Sequence, residues 1–474
     1  METHDILVVG GGAAGATLAG RLARMGRDVA VLEAGPSDRH PLVSMPFGLV
    51  WLMGSRRDWR FESAPQAALG GRRIKVPRGR MLGGSASINS MVWFRGLPED
   101  YAAWGRGWAW DDVAPAFEAV EAEMRPAPLV RPHPLSRALA EVHGAPPEPG
   151  RVSSGPFVVN MERGRRRSPV RAFLDGAGAR VLTGAEVAGL VIADGRARGV
   201  RLSDGREMRA RGGVVLCAGA IGSPVLLLRA GLGGDGVGRN LHDHPGVAVH
   251  HEGAGSGYGL TPTQLPRWGL APFAWALAGR GPFASNTVEA GAFLPLRDGG
   301  PPEVQVHFLP CRLGHGARAI GWGAGYYADV CVMRPRSRGR LTLGNDGAPR
   351  IDLGLLSDGR DRDDLRAGLR ALRRLLDAAP FGARRAAEVF PGRGAADDAA
   401  LDAHIDARTG TAYHPVGTCA IGAVVDARLR VRGVDGLWVA DASVMPSITS
   451  ANTNAPSIMI GWRGAGMVAD ALGA

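Results

Sequence analysis

Near its start the chain reads D-I-L-V-V-G-G-G-A-A-G (Asp5 to Gly15), an apolar run ending in a Gly-x-Gly-x-x-Gly turn at Gly10, Gly12 and Gly15. Residues 13–26, rich in Ala and Leu, read as a helix, and Val29 to Gly35 as a second strand ending in Glu33. This order is a βαβ opening, which places the turn where a dinucleotide is held. The glycines allow a tight turn and bring backbone close to a pyrophosphate at a helix N-terminus. Glu33 follows the last glycine by roughly the 20 residues at which an acid meets ribose hydroxyls. In a chain with 71 glycines the motif alone would be weak. The strand before it, the helix after it and the acid beyond separate it from a chance glycine turn. They do not choose between FAD and a nicotinamide cofactor.

At 474 residues the chain can bury a large core, and two domains are expected. It contains no apolar run long enough to cross a bilayer. The first strand begins almost at once, without a basic or apolar leader, which points to a cytoplasmic protein. The net charge of +11 would suit nucleic acid. However, Lys75 is the only lysine, so the charge is almost all arginine and reflects the coding bias of a GC-rich bacterial genome. The densest basic run, Arg163 to Arg171, is short and contains no aromatic residue, and nucleic-acid binding is set aside. The four cysteines, Cys217, Cys311, Cys331 and Cys419, have neither C-x-x-C nor zinc spacing. Free thiols in a reducing compartment are expected, and no metal site.

Residues 36–78 read as irregular, residues 101–124 as helical with core aromatics, and residues 126–150 as a Pro-rich surface loop. Between lie P-R-G-R-M-L-G-G-S-A-S-I-N-S (Pro77 to Ser90), whose small residues let backbone approach a flat ligand. Short strands from about 180 to 217 end in V-V-L-C-A-G-A-I-G-S-P, another strand-to-helix entry. From about 246 to 340, strands such as E-V-Q-V-H-F-L and A-D-V-C-V-M suggest an antiparallel sheet. Residues 361–378 form an amphipathic helix. Two blocks close the chain: Y-H-P-V-G-T (Tyr413 to Thr418) and D-A-S-V-M-P-S-I-T-S-A-N-T-N-A-P (Asp441 to Pro456).

Taken together, Gly79 to Asn89, Gly219 to Pro224 with Leu226, Leu227, Gly231 and Gly233, Asn240 to Pro245, Arg334 to Gly339 and both closing blocks resemble the glucose–methanol–choline (GMC) flavoprotein oxidoreductases. The choline-dehydrogenase-like branch is the most similar. The resemblance implies an α/β (α+β overall) chain. A Rossmann-like FAD-binding domain would span 1–245, with insertions at about 36–75 and 126–150. A substrate domain with an antiparallel sheet and helices would span 246–407, and 408–474 would complete the FAD domain. It implies non-covalent FAD, because Ile88 stands where a few members carry a linking histidine. The implied cofactor residues are Gly10, Gly12, Ala13, Ala14, Gly15, Glu33, Arg78, Leu82, Gly83, Gly84, Ser87, Asn89, Ser90, Val187, Ala218, Asp441, Ala442, Asn452 and Thr453. His414 and Asn452 would face the reactive side of the flavin. Trp462 departs from the glutamate often found in relatives, and the chain is short for the family.

The implied reaction is oxidation of a primary or secondary alcohol, with hydride passing to flavin N5. Imidazole has an unperturbed pKa of about 6.5 and suits the proton-abstracting role, which falls to His414. Many relatives have a second histidine where this chain has Asn452, which can hold an alcohol oxygen but cannot take its proton. As plain structural residues, His414 would be a satisfied core histidine and Asn452 a loop residue capping the helix near Pro456. His242 and His244 read as structural, and Glu289 as a residue that could reach the substrate. Hydroxynitrile lyases and a photodecarboxylase share the fold and form the competing class. The decarboxylase cysteine position is Met333 here. The electron acceptor stays open among oxygen, a quinone, a cytochrome and a redox peptide such as mycofactocin.

Overall fold

The computed structural model describes residues 2–232, 234–253, 257–312, 321–379, 381–384 and 386–473; Gly233, grouped above with Gly219 to Pro224, lies outside them. Two seven-stranded sheets organise the chain. In the first, strands Arg180–Thr183, Val29–Glu33, Glu2–Val9 and Glu207–Leu216 run parallel in that order. The far edge of Glu207–Leu216 is shared. Its first half pairs antiparallel with Arg196–Leu202 and its end pairs parallel with Leu437–Val439. Val187–Ala193 closes that side. Ile6, Leu7, Val8, Ala30 and Val31 are fully buried, as expected of central parallel strands covered on both faces.

Helix Ala13–Arg24 follows the glycine turn and packs on helix Asn454–Ala471 from the far end of the chain. The approach is close: a Cβ on Gly461 would lie 2.3 Å from the Ala14 carbonyl oxygen. Arg21 lies over the Trp462 ring at 4.3 Å, so the departure at Trp462 joins these helices by a cation–π contact.

The second sheet is antiparallel, ordered Ala387–Phe390, Pro245–Glu252, Gly325–Val332, Pro302–Leu309, Ala290–Pro295 and Ser153–Pro156, with Gly410–Thr411 beside Pro245–Glu252. Strand Ser153–Pro156 reaches it from the stretch between two strands of the first sheet. Its residues alternate. Val304, Val306, Phe308, Val330 and Val332 pack with Leu365, Leu369, Leu372 and Leu376 of the amphipathic helix Gly359–Asp377. Gln305, His307, Asp329 and Cys331 take the opposite face.

Four stretches differ from their expectations. In residues 101–124 the helix is Trp110–Met124, separated from the short helix Pro98–Ala102 by a turn in which Gly105 and Gly107 have positive φ. Residues 126–150 contain helix Pro134–His143, because Pro134 opens it and the His133 ring accepts the Leu135 N–H at 3.1 Å. Residues 36–78 contain short helices Pro41–Ser44 and Leu49–Leu52 and the strand pair Phe61–Glu62 and Lys75–Val76. The 246–340 stretch contains helix Leu265–Ala278, masked in the sequence by Pro266, Gly269 and Pro272. The aromatics Tyr101, Trp104 and Trp108 are buried core residues. No helix of the described residues is long and apolar enough to cross a membrane.

Candidate active site

A cavity of about 620 Å³ lies between the sheets, within the range of small-molecule and cofactor sites. One end is made of strand ends. Gly10 has φ +99°, and a Cβ there would lie 2.6 Å from the Cys217 carbonyl oxygen, so only glycine lets these strand ends meet. Gly12 precedes helix Ala13–Arg24; no side chain caps that end and no acid stands in its first turn. That leaves a helix N-terminus turned to an anion. The second glycine pair folds over it. Gly83 N–H donates to the Gly11 carbonyl at 2.7 Å, and a Cβ on Gly84 (φ +52°) would lie 2.9 Å from Gly12 Cα.

Glu33 is buried and accepts backbone N–H groups from Gly11 (3.0 Å) and Gly35 (2.8 Å). Burial pushes its pKa up, and those two donors oppose the shift. Asp441 accepts from Ser223 Oγ at 2.6 Å and from the Gly219 and Ser443 N–H groups at 2.8 Å. It thereby ties the closing block to the second strand-to-helix turn. Asn89 is held by buried Arg166, which donates to Asn89 Oδ1 at 2.5 Å and to the carbonyls of Val43, Ala86 and Asn89. Burial pushes the Arg166 pKa down to about 9.

Of the expected cofactor residues, Gly10, Gly12, Ala13, Ala14, Glu33, Arg78, Gly84, Asn89, Ser90, Val187, Ala218, Asp441, Ala442, Asn452 and Thr453 line this cavity. Gly15, Leu82, Gly83 and Ser87 stand behind the wall. Gly15 lets the helix close on Gly10, and Ser87 Oγ donates to the Leu82 carbonyl at 2.9 Å. The donor set fits FAD: an uncapped helix end for the pyrophosphate and a carboxylate at a strand end for the ribose.

At the other end stand His414 and Asn452. His414 Nδ1 lies 3.1 Å from His244 Nδ1, and His414 Nε2 lies 3.2 Å from Asn452 Nδ2. His244 Nε2 faces the Thr449 carbonyl at 3.1 Å, and burial pushes the His244 pKa down to about 4. A carbonyl only accepts, so the Thr449 contact favours the tautomer of neutral His244 that carries its proton on Nε2. His244 Nδ1 then accepts from His414 Nδ1–H, which leaves the His414 Nε2 lone pair on the cavity side to accept from the Asn452 NH₂. Burial, with His244, His307 and Arg78 nearby, holds the His414 pKa well below 6.5. The backbone is fixed as well. Asp243 Oδ1 accepts from the His414 N–H (2.9 Å) and the His244 N–H (2.8 Å), and the Arg78 guanidinium donates to the Tyr413 carbonyl.

Sequence reading missed His307. Its Nε2 lies 3.5 Å from Asn452 Nδ2, and its Nδ1 lies 2.9 Å from Asp329 Oδ1. Gln305 Nε2 donates to Asn452 Oδ1 at 3.0 Å, which orients the amide with its NH₂ toward both imidazoles. The available signal was period two: Gln305 and His307 alternate with buried Val304, Val306 and Phe308, and in the ladder they oppose Cys331 and Asp329. His242 is structural, its Nδ1 on the Asn240 carbonyl (2.6 Å) and its Nε2 accepting the Ile448 N–H (2.9 Å). His244 orients His414. Glu289 turns away from the cavity to accept from Ser285, Ser136 and the His133 N–H.

The sequence matches the family model of the GMC oxidoreductases in two parts, an N-terminal one over residues 4–246 and a C-terminal one over 335–461. It is 34% identical to an alcohol dehydrogenase [acceptor] of Pseudomonas putida, covering 98% of this chain and 95% of that one. It is 35% identical to an oxygen-dependent choline dehydrogenase of Brucella anthropi, covering 97% and 94%. Among solved structures, pyridoxine 4-oxidase from Mesorbium loti superposes with a TM-score of 0.83 at 27% identity, covering 98% of each chain. A formate oxidase of Aspergillus oryzae shares the fold alone, with a TM-score of 0.88 at 23% identity over 99% of this chain and 98% of that one.

Proposed function

The chain belongs to the GMC oxidoreductase family, and from that premise we propose that it is an FAD-dependent enzyme oxidising a primary or secondary alcohol to the carbonyl, with His414 as base. Bound FAD supplies, at its N5 atom, the acceptor for the hydride that leaves the alcohol carbon. Gly12, Ala13 and Ala14 would hold its pyrophosphate, Glu33 its ribose, Asp441 and Ala442 its ribityl side, and Gly84 and Asn89 its ring system. The family and the dehydrogenase and oxidase relatives support this chemistry, and no feature of the cavity favours the lyase class.

The observation that carries the role of His414 is the Nε2 lone pair on the cavity side, which faces only the neutral Asn452 NH₂ donor at 3.2 Å and so stays an acceptor that an alcohol hydroxyl can take over. The His244 ring fixes the tautomer, burial keeps the ring neutral at working pH, and the Asn452 amide stands 3.2 Å away to hold the alcohol oxygen. The hydroxyl proton passes to His414 Nε2. His307 offers a second acceptor at the same amide. A second reading rests on Asp329: a carboxylate 2.9 Å from His307 Nδ1 stabilises an imidazolium, which favours His307 as the proton's destination.

Electrons then leave to oxygen, a quinone, a cytochrome or a redox peptide. Four cysteines that are all buried and free suit a cytoplasmic compartment. The test is the visible spectrum of the purified protein, anaerobically, before and after a panel of alcohols. Bleached flavin bands support the reading and rank substrates. Flavin bands that no alcohol bleaches would overturn the alcohol chemistry, and absence of flavin bands after added FAD would overturn the cofactor assignment.

A further inference from the structure

Helix Leu265–Ala278 breaks the rule that a surface helix turns its polar side to water. Its outward positions carry Leu270 (65% exposed), Phe273 (66%) and Leu277 (87%), spaced i, i+3, i+7 along one face. Leu265, Trp51 and Trp322 are exposed around it. Of the twelve large apolar side chains exposed among the described residues, these six lie in one region, so they form a patch and not a scatter.

Ring contacts tie the segments together. Trp51 meets Phe283 (5.5 Å) and Phe47 (5.6 Å), and Trp268 of the helix meets Phe47 (5.5 Å). Trp268 Nε1 also donates to the Gly259 carbonyl at 2.9 Å, next to the bridge of Leu260 with Trp322.

The segments that build the patch carry charge of one sign. Among the described residues there is no Asp or Glu at 39–57, 257–288 or 321–328, whereas Arg56, Arg267 and Arg280 are exposed within those stretches. At the margins, Glu252 is taken up by Arg312 (2.6 Å) and Glu162 by Arg167 (3.1 Å). Exposed Leu, Phe and Trp bordered by arginines are the chemistry of a helix that lies in a lipid headgroup layer. The patch also adjoins the reaction chamber, since Phe47 lines the cavity and packs on Trp268.

We propose that helix Leu265–Ala278, with Trp51 and Trp322 beside it, is a docking surface for anionic phospholipid bilayers. The chain would then rest on the membrane without spanning it, its cavity one aromatic layer from the lipid. Docking gives a lipid-soluble alcohol or quinone a short path to the site, and that consequence alone rests on the function proposed above.

The test is vesicle flotation of the full-length, FAD-loaded protein, with light scattering alongside. The vesicles are phosphatidylcholine alone and phosphatidylcholine mixed with phosphatidylglycerol. The expected result is binding to the mixed vesicles, weaker binding without phosphatidylglycerol and weakening by salt. A Phe273→Glu/Leu277→Glu variant should lose at least about tenfold in binding. It should keep its flavin spectrum, which verifies folding whether or not any alcohol is oxidised. Arg267→Gln/Arg280→Gln should weaken binding to the phosphatidylglycerol mixture only. Wild-type protein that ignores these vesicles, or a glutamate variant that binds as well as wild type, overturns the proposal. So does a wild-type dimer that the glutamate variant dissolves while neither protein binds lipid, for then the patch faces a second copy of the chain.

Discussion

In the parallel half of the molecule, Gly10, Glu33, Ala218 and Asp441 all stand where strands end. In the antiparallel half, Gln305, His307, Asp329 and Cys331 stand along strands, on one face. The difference follows from how each sheet is covered. Parallel strands are buried on both faces, so a ligand meets them only at their carboxyl ends, in the turns. An antiparallel sheet can give one face to a core and the other to a cavity. On the proposed function, recognition of the cofactor is therefore written in short contiguous turns, and the environment of the substrate in every second residue of separate strands.

The largest expected effect tests the turn-based half. Gly84→Val places side-chain atoms where Gly12 stands, at a φ of +52°. It should abolish FAD binding, read as loss of the flavin bands in protein that still folds by circular dichroism. Retained stoichiometric FAD would show that the two glycine segments need not touch. Next, His414→Ala should keep FAD and lower the rate of anaerobic flavin reduction by about 10³-fold. An unchanged rate would remove His414 from the mechanism.

Asp329→Asn sharpens the strand-based half. With His414 as base, losing the carboxylate behind His307 should cost about 10–30-fold in kcat/KM. A loss as large as that of His414→Ala would move the base to His307. Asn452→Ala should cost about tenfold, mainly in KM, as expected for one lost hydrogen bond to the alcohol oxygen.

The smallest effect concerns pH. Burial holds the His414 pKa well below 6.5, so the ring stays neutral and able to accept a proton as pH falls through 6.5. Flavin reduction should therefore stay level across that value and decline only at lower pH. A decline centred at 6.5 or above would assign the titration to a group other than His414.

The same contrast explains what the sequence disclosed. That Gly10, Gly12, Glu33, His414 and Asn452 line one cavity is legible because each sits in a run whose neighbours line it too. His307 is not, since in E-V-Q-V-H-F-L it reads first as one member of a strand, and its partner Asp329 stands 22 residues away. Only the ladder register, which no local pattern specifies, sets them opposite each other. Helix Leu265–Ala278 was hidden for another reason: two prolines and a glycine mimic loop composition, while its outward leucines and phenylalanine erase the polar face that marks a surface helix.

The seating of Leu437–Val439 on Glu207–Leu216, and of Asn454–Ala471 on Ala13–Arg24, has a consequence for biosynthesis. The first strand and glycine turn leave the ribosome well before the elements that complete their sheet and cover their helix. During translation the nascent cofactor half must wait, its apolar helix face uncovered, while more than four hundred residues are added. Flavin capture should therefore wait until Leu437–Val439 and Asn454–Ala471 have been made. A chain interrupted anywhere before Leu437 carries the whole N-terminal glycine motif and should still emerge colourless.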